Sequence, residues 1–361
     1  MHRIITALGA LALTTTLASA GGIERSTLSY SALFDEGRVL TTGLSSVSPS
    51  VSGTYPVGFG GGSTGNMAQS YAALSFSYKA DLNDKLAYAI YVNKPFGADA
   101  YYPQGPYTGL EAHWTTDQLA AVLKYKVTDA VSVYGGLRYL NSKAEIAIPA
   151  ALLSFNYTAA GSATDFGYLV GAAYEKPEIA LRVALTYESA VKQSFETRET
   201  GAAFGPAGFE GTTEIEIPQT VALDFQSGVA KDTLVFGSVR WTEWSKWKVR
   251  PPGYGGLTGQ DVTGFDNNVL AFKLGVGRKL NDNLSVFARI GYEEPKGGVS
   301  SRLSPTDGMK SIGFGGTYTK DNMKITGGIE YVEVGDAIDG SGVLFEGNSA
   351  VGFGISVAYT F

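Results

Sequence analysis

The last nine residues, Phe353 to Phe361, alternate without a fault. Phe353, Ile355, Val357, Tyr359 and Phe361 fall on one side of an extended chain. Gly354, Ser356, Ala358 and Thr360 fall on the other, because successive side chains of a strand point to opposite faces. The same rhythm predicts hairpins along the chain: 70–80 with 85–92, 118–127 with 131–140, 167–174 with 179–187, 220–229 with 234–241, 270–280 with 284–292, and 311–318 with 323–331. The short segments between partners are rich in Asp, Asn, Lys and Pro, which suit tight turns. A first strand near 39–52 and the final strand bring the expectation to about fourteen.

Connections of a second kind are long: 55–69, 97–114, 149–165, 199–211, 249–266, 293–308 and 335–348. Strict segregation of short turns and long loops is the asymmetry of an outer-membrane barrel, whose periplasmic turns are short and whose external loops are long. The expected fold class is therefore all-β, a transmembrane antiparallel β-barrel of about 14 strands spanning 39–361. Both termini would lie on the periplasmic side. A soluble antiparallel sandwich is the alternative.

The strand faces agree. With Leu119, Leu123, Tyr125, Val133, Leu137, Leu185, Leu274, Ile290 and Ile329 outward, Lys124, Arg138, Arg182, Asp224, Arg240, Lys273, Arg289, Lys324 and Glu330 point into the lumen. A Lys or Arg on the lipid side at mid-depth would cost about 2–4 kcal/mol, which explains the segregation. Outward Tyr125, Tyr174, Tyr187, Tyr292 and Tyr318 are expected to form an aromatic girdle. Trp241, Trp244 and Trp247 are expected to mark the outer interface.

The first twenty residues read as a signal peptide: Met1-His2-Arg3, an apolar stretch to Leu17, and the A-x-A site Ala18-Ser19-Ala20. The expected localisation is the bacterial outer membrane, reached by export through the periplasm. Residues 21–38 show no long alternation and are expected to form a hatch inside the barrel, with Phe34, Asp35, Glu36 and Arg38 as its functional residues; a loose periplasmic tail is the alternative. Residues 31–36 could make one or two helical turns. Fourteen strands lie between a filled small barrel and an open porin, so a lumen of this size leaks unless filled.

Composition narrows the chemistry. The chain has 361 residues, a net charge of −6, no Cys and two His, and its mean hydropathy of +0.01 resembles that of a soluble protein. Alternation hides wall hydrophobicity, so that average does not exclude a membrane home. Acidic charge argues against nucleic-acid partners. No metal-ligand cluster, cofactor motif or catalytic group is expected. Gly61-Gly-Ser-Thr-Gly65 fits a nucleophile-elbow pattern but lies in a Gly/Ser-rich loop without the strand–turn–helix context required. An outer-membrane phospholipase would have His113 as its only base.

Three stretches carry a resemblance. Asn93-Lys-Pro-Phe-Gly97, then Tyr107-Thr-Gly-Leu-Glu111 with Val131-Ser-Val-Tyr-Gly-Gly-Leu-Arg-Tyr139, then Pro218-Gln-Thr-Val-Ala-Leu223 leading to Val239-Arg-Trp-Thr-Glu-Trp-Ser-Lys-Trp247 occur in order and at matching spacing. The mature chain resembles the FadL/TodX family of outer-membrane transporters of long-chain fatty acids and other hydrophobic compounds. The family's Asn-Pro-Ala box is missing from 21–38. What the resemblance implies is passive uptake: external loops capture a hydrophobic molecule, which leaves laterally through a gap in the wall. Pro95, Phe96 and Gly97 are the expected lateral gate, since proline cannot donate to a strand ladder; Pro95 ending its strand is the alternative. A carboxylate cargo would need a cation, and Arg138, Arg182, Arg240, Lys273 and Arg289 are the candidates, unless each forms a lumen ion pair. Expected partners are fatty acids or hydrocarbons, outer-membrane lipid, and the barrel-assembly machinery through the strand ending at Phe361. A general diffusion porin and the phospholipase are the rival functions.

Overall fold

The computed structural model describes residues 22–26 and 29–361. The expected signal peptide and the start of the expected hatch lie outside the described residues. Sixteen long strands form one antiparallel sheet. In chain order they are β1 (Val39–Ser50), β2 (Tyr71–Asp81), β3 (Leu86–Tyr101), β4 (Glu111–Lys126), β5 (Val131–Ile148), β6 (Tyr157–Lys176), β7 (Leu181–Glu188) and β8 (Val191–Gly201). They continue with β9 (Phe209–Ile217), β10 (Thr220–Ala230), β11 (Thr233–Thr242), β12 (Val269–Lys279), β13 (Leu284–Glu293), β14 (Met309–Lys320), β15 (Met323–Val334) and β16 (Ser349–Thr360). β8 and β9 stand on top of β7 and β10, in the same register across the hairpin, so fourteen strand positions surround the axis. The ring closes where β1 pairs with β16 from Val39↔Thr360 to Ser50↔Ser349.

At membrane height the expected faces hold. Leu119, Leu123, Leu137, Leu274, Ile290 and Ile329 are exposed, while Gln118, Lys124, Arg138 and Glu330 are buried within the ring. Short turns form as the side chains dictate: the Asn281 and Asn83 carboxamide oxygens each accept backbone N–H bonds from Leu284 and Leu86, 2.9 and 3.0 Å long. The aromatic girdle is two belts rather than one. Tyr125, Tyr174, Tyr318 and Tyr359 lie at the turn end, whereas Tyr187 and Tyr292 lie at the far ends of their strands. There Tyr139 meets Phe166 at 5.2 Å and Tyr168 meets Tyr187 at 6.1 Å.

Several expected loops are strand. Residues 93–101, 111–117, 141–148 and 157–166 continue β3, β4, β5 and β6 well beyond the expected ends, and 191–201 with 209–217 make a further hairpin. The cause is a reversal of phase. High on β8, Lys192, Ser194, Glu196 and Arg198 are exposed while Val191, Phe195 and Thr197 are buried. On β9, Glu214 points out and Ile215 and Ile217 point in. A strand standing clear of the bilayer faces water outside, so its apolar row turns inward. Trp244 and Trp247 follow this logic. They do not mark the outer interface but are buried in an apolar cluster with Ile23, Phe96, Trp114 and Phe195.

Candidate functional site

Two features of β3 shape the interior. The β2–β3 ladder runs from Asp81↔Ala87 to Phe76↔Val92 and goes no higher. Between Asn93 and Phe96, β3 also slips register against β4. Pro95 sits in this bulge, where its missing N–H is tolerated. It does not end the strand, which continues to Tyr101. The N-terminal segment fills the edge that β2 leaves: Arg25 and Ser26 donate backbone N–H bonds to the Pro95 carbonyl (2.8 and 3.3 Å), and Gly97 donates to the Ile23 carbonyl (2.8 Å). Close approach demands glycine at Gly22, against the buried Trp244 ring, and is tight at Gly97, against the movable end of the Arg25 side chain. A Cβ on Gly97 would lie 2.5 Å from the Arg25 Cδ, and one on Gly22 would lie 2.4 Å from the Trp244 ring.

Charged side chains anchor the same segment. Arg25 pairs with Asp99, whose carboxylate also accepts a hydrogen bond from His113 Nδ1 at 2.8 Å. Glu24 lies 3.4 Å from Arg240 and accepts from the Thr242 hydroxyl at 3.0 Å. Further along, Tyr30 and Leu33 are buried in a short 3-10 turn, Tyr30–Phe34, begun by Ser29. The Tyr30 hydroxyl donates to Glu188 (2.7 Å), and Phe34 meets Tyr134 edge-on at 5.9 Å.

Two cavities flank residues 22–25. One holds about 690 Å³ of open space lined by Trp114, Ile146, Phe195, Ile215, Trp247 and Phe265. The second, about 770 Å³, is lined by Val47, Met67, Tyr71, Val332 and Val334 among others. Both touch Ile23, Ala98, Leu303 and Ser304, so the N-terminal segment stands where they meet. Above, four small strands from three external loops (Gly53–Thr54, Val299–Ser300, and Ala337–Asp339 with Leu344–Phe345) make a roof over a tyrosine cluster that includes Tyr55, Tyr102 and Tyr107.

The expected cations divide into two groups. Arg138 pairs with Glu188 at 3.2 Å, Arg240 with Glu24, and Arg289 with Glu330. Arg182 and Lys273 have no ion pair among the described residues. Arg182 donates to Gln226 (3.1 Å) and, like Lys124, stacks over the Phe34 ring at 4.7 Å. Of the expected hatch residues, Phe34 and Asp35 lie among these cations, whereas Glu36 and Arg38 are exposed. The Asp35 carbonyl accepts from Lys79 Nζ, and burial pushes the Asp35 carboxyl above the usual carboxylate range despite Lys324, Arg182 and Lys79 nearby. Among the described residues no group of three His, Cys, Asp or Glu could hold a metal.

A closed fourteen-strand ring with apolar cavities beside an inserted N-terminus has relatives. Residues 30–361 match the profile of the outer membrane protein transport protein family (OMPP1/FadL/TodX). The chain belongs to this family. It is an outer-membrane β-barrel of a family that transports hydrophobic compounds. Among solved structures, a Pseudomonas aeruginosa FadL homologue is 14% identical over 92% of each chain, with a TM-score of 0.73. The Pseudomonas putida toluene transporter TodX is 13% identical over 96% of this chain and 98% of its own (TM-score 0.64). The Ralstonia pickettii toluene transporter TbuX is 12% identical over 98% and 100% (TM-score 0.64). At these identities the likeness shows the fold. No curated protein sequence matches the chain.

The sequence missed Glu24, Arg25, Asp99 and the cavity walls. Their signal was faint: a short acidic–basic pair before the first strand, and aromatic side chains in segments read as loops.

Proposed function

We propose that this family member carries small hydrophobic molecules passively across the outer membrane, and that residues 21–38 act as its hatch. A molecule enters the apolar cavity under the external roof, passes when residues 22–26 shift, and leaves sideways between β2 and β3 at Pro95, Phe96 and Gly97. The observation that supports this reading is the missing top of the β2–β3 ladder, occupied by a segment that is not part of the wall. A transport role rather than catalysis is supported by the relatives, two of which are named as toluene transporters. A general porin fits less well, since buried Tyr30, Leu33 and Glu24 occupy the lumen and Glu24 pairs there with Arg240.

Cargo chemistry follows from the charges. Arg25 and Arg240, beside the segment that borders the upper cavity, have carboxylate partners in Asp99 and Glu24, so that cavity suits a neutral hydrocarbon. A fatty acid would find its counter-ion at Lys273 or Arg182. Each buried methylene contributes about 0.8 kcal/mol, so partial contact is enough for capture and still allows release. Assembly through the C-terminal strand ending at Phe361, after export through the periplasm, completes the reading.

The test is a planar bilayer with the barrel lacking residues 21–38. Single-channel conductance should rise severalfold over the full chain; unchanged conductance would sink the hatch. Uptake of a fatty acid against toluene by a deletion strain expressing this chain identifies the cargo.

A further inference from the structure

The wall is interrupted a second time, away from the N-terminal segment. β6 pairs with β8 from Tyr157↔Gly201 to Ser162↔Glu196, and with β7 from Leu169↔Glu188 to Lys176↔Leu181. Between these ladders six residues of β6 (163–168) face seven of the opposite chain (189–195), and the register slips by one. Bonds at Ser189 close the lower end: its N–H donates to the Tyr168 carbonyl (2.9 Å), and its hydroxyl accepts from the Tyr168 N–H (3.0 Å). Above that point no ladder pair joins the two sides until Ser162. The β7-to-β8 junction at Ser189–Ala190 lies opposite Pro218–Gln219 of the next strand, so the hairpin bends at one level on both strands.

Side chains fill this stretch, which no ladder pair crosses. A Cβ on Gly167 would lie 2.6 Å from a Val191 methyl, so Val191 occupies the space beside it. Phe195 and Ala163 belong to the cluster that walls the upper apolar cavity. Gln193, wholly buried, reaches the Leu140 carbonyl with Nε2 (3.3 Å), and its Oε1 has no hydrogen-bond partner among the described residues. A sealed wall has no use for a buried carboxamide oxygen without a donor. Outside, Phe166 is 65% exposed and Tyr168 lies below it, with Thr164, Asp165 and Lys192 exposed above. The interruption therefore stands at the outer edge of the bilayer.

We propose that the β6–β8 interruption is a membrane-facing portal, through which hydrophobic molecules dissolved in the outer leaflet reach the upper cavity directly. The proposal rests on the transport reading for its purpose, but not for its geometry. Rotation of the Val191 and Gln193 side chains, which leaves the β8–β9 ladder intact, opens it. The β2–β3 interruption differs, because backbone bonds to residues 23–26 hold it shut.

The chain has no cysteine, so single cysteines report without background. Full-length Gln193→Cys is placed in liposomes and exposed to pyrene maleimide dissolved in the bilayer, or to a charged, water-soluble methanethiosulfonate. Phe166→Cys serves as the lipid-exposed control, and Ala120→Cys as an inward residue behind unbroken ladders. From the bilayer, Gln193→Cys should react about tenfold faster than Ala120→Cys, as local opening allows, and should be slow toward the charged reagent. Equal rates for the two, or faster reaction from water, overturn the portal. Should Gln193→Cys fail to fold, judged by heat-modifiable gel mobility, Ala163→Cys reads the same opening. Labelling reports access alone, so a barrel that labels but carries no cargo refutes the transport reading and leaves the portal standing.

Discussion

The barrel has a tall side and a short side. Strands β4, β5 and β6 run 16, 18 and 20 residues, whereas β11, β13 and β16 run 10, 10 and 12. About 9–11 residues span the hydrocarbon, so the short side is all membrane wall and the tall side carries a palisade into water. Along the tall strands the chemistry inverts. Below, Leu123 and Leu137 face lipid and Lys124 and Arg138 face the lumen; above, Glu145 and Glu196 face out, and Trp114 and Phe195 face in. One backbone thus makes a polar-lined tube in the membrane and an oil-lined cup outside it. The solvent on the outer side decides which.

The largest test of this contrast is inside the cup. Phe195 packs against Trp114 at 5.2 Å with 1% of its surface exposed. Phe195→Ala should cost about 3–5 kcal/mol if the upper interior is packed like a soluble core. Chemical denaturation in detergent measures it, and a cost below one kcal/mol would mean the cup is loosely filled. Next come outward charges. Leu274→Arg on the short side should cost about 2–4 kcal/mol in lipid, and Glu196→Arg on the palisade should fall within about 0.5 kcal/mol of neutral. Equal costs at the two sites would erase the proposed membrane boundary.

A smaller effect concerns acidity at the proposed hatch. The Asp35 carboxyl binds its proton more tightly in the folded chain than free, so docking of its segment is favoured at low pH and loses that contribution as pH rises through the carboxylate range. Single-channel conductance should therefore fall on acidification, and Asp35→Asn should flatten the response. The smallest effect is expected at Lys192–Glu216, 3.9 Å apart on the outside of the palisade. Removing this exposed pair should change stability by about 0–1 kcal/mol, and less in high salt.

Much of the short side was legible in the sequence. Leu270, Phe272, Leu274 and Val276 alternate with small or charged residues because a lipid boundary enforces it. The palisade was not legible by the same criterion. Residues 141–148 and 157–166 alternate too, but with charge outward, and a search for apolar-out strands stops where the phase turns. Trp244 and Trp247 were misplaced for the same reason, since an aromatic residue near a strand end reads as an interface marker unless an apolar interior is known to lie above the bilayer. The ion pairs Arg138–Glu188 and Arg289–Glu330 were foreseen as alternatives, because inward charges of opposite sign can meet inside the ring, here across Gly167 and Gly313 of the strand between them. Glu24–Arg240 was not, because it joins residues far apart in the chain. The role of Pro95 needed the register: only the ladder tells a bulge in mid-strand from a strand end.

The reversal of phase also makes the rim adjustable. Each residue pair added to the top of a palisade hairpin lifts it by roughly 6–7 Å and keeps every side chain on its own side. A single added residue would turn the oily row toward water and the charges toward the cup. Length variation among such rims should therefore come in even steps, which would let the capacity of the cup change while its anchorage in the bilayer stays fixed.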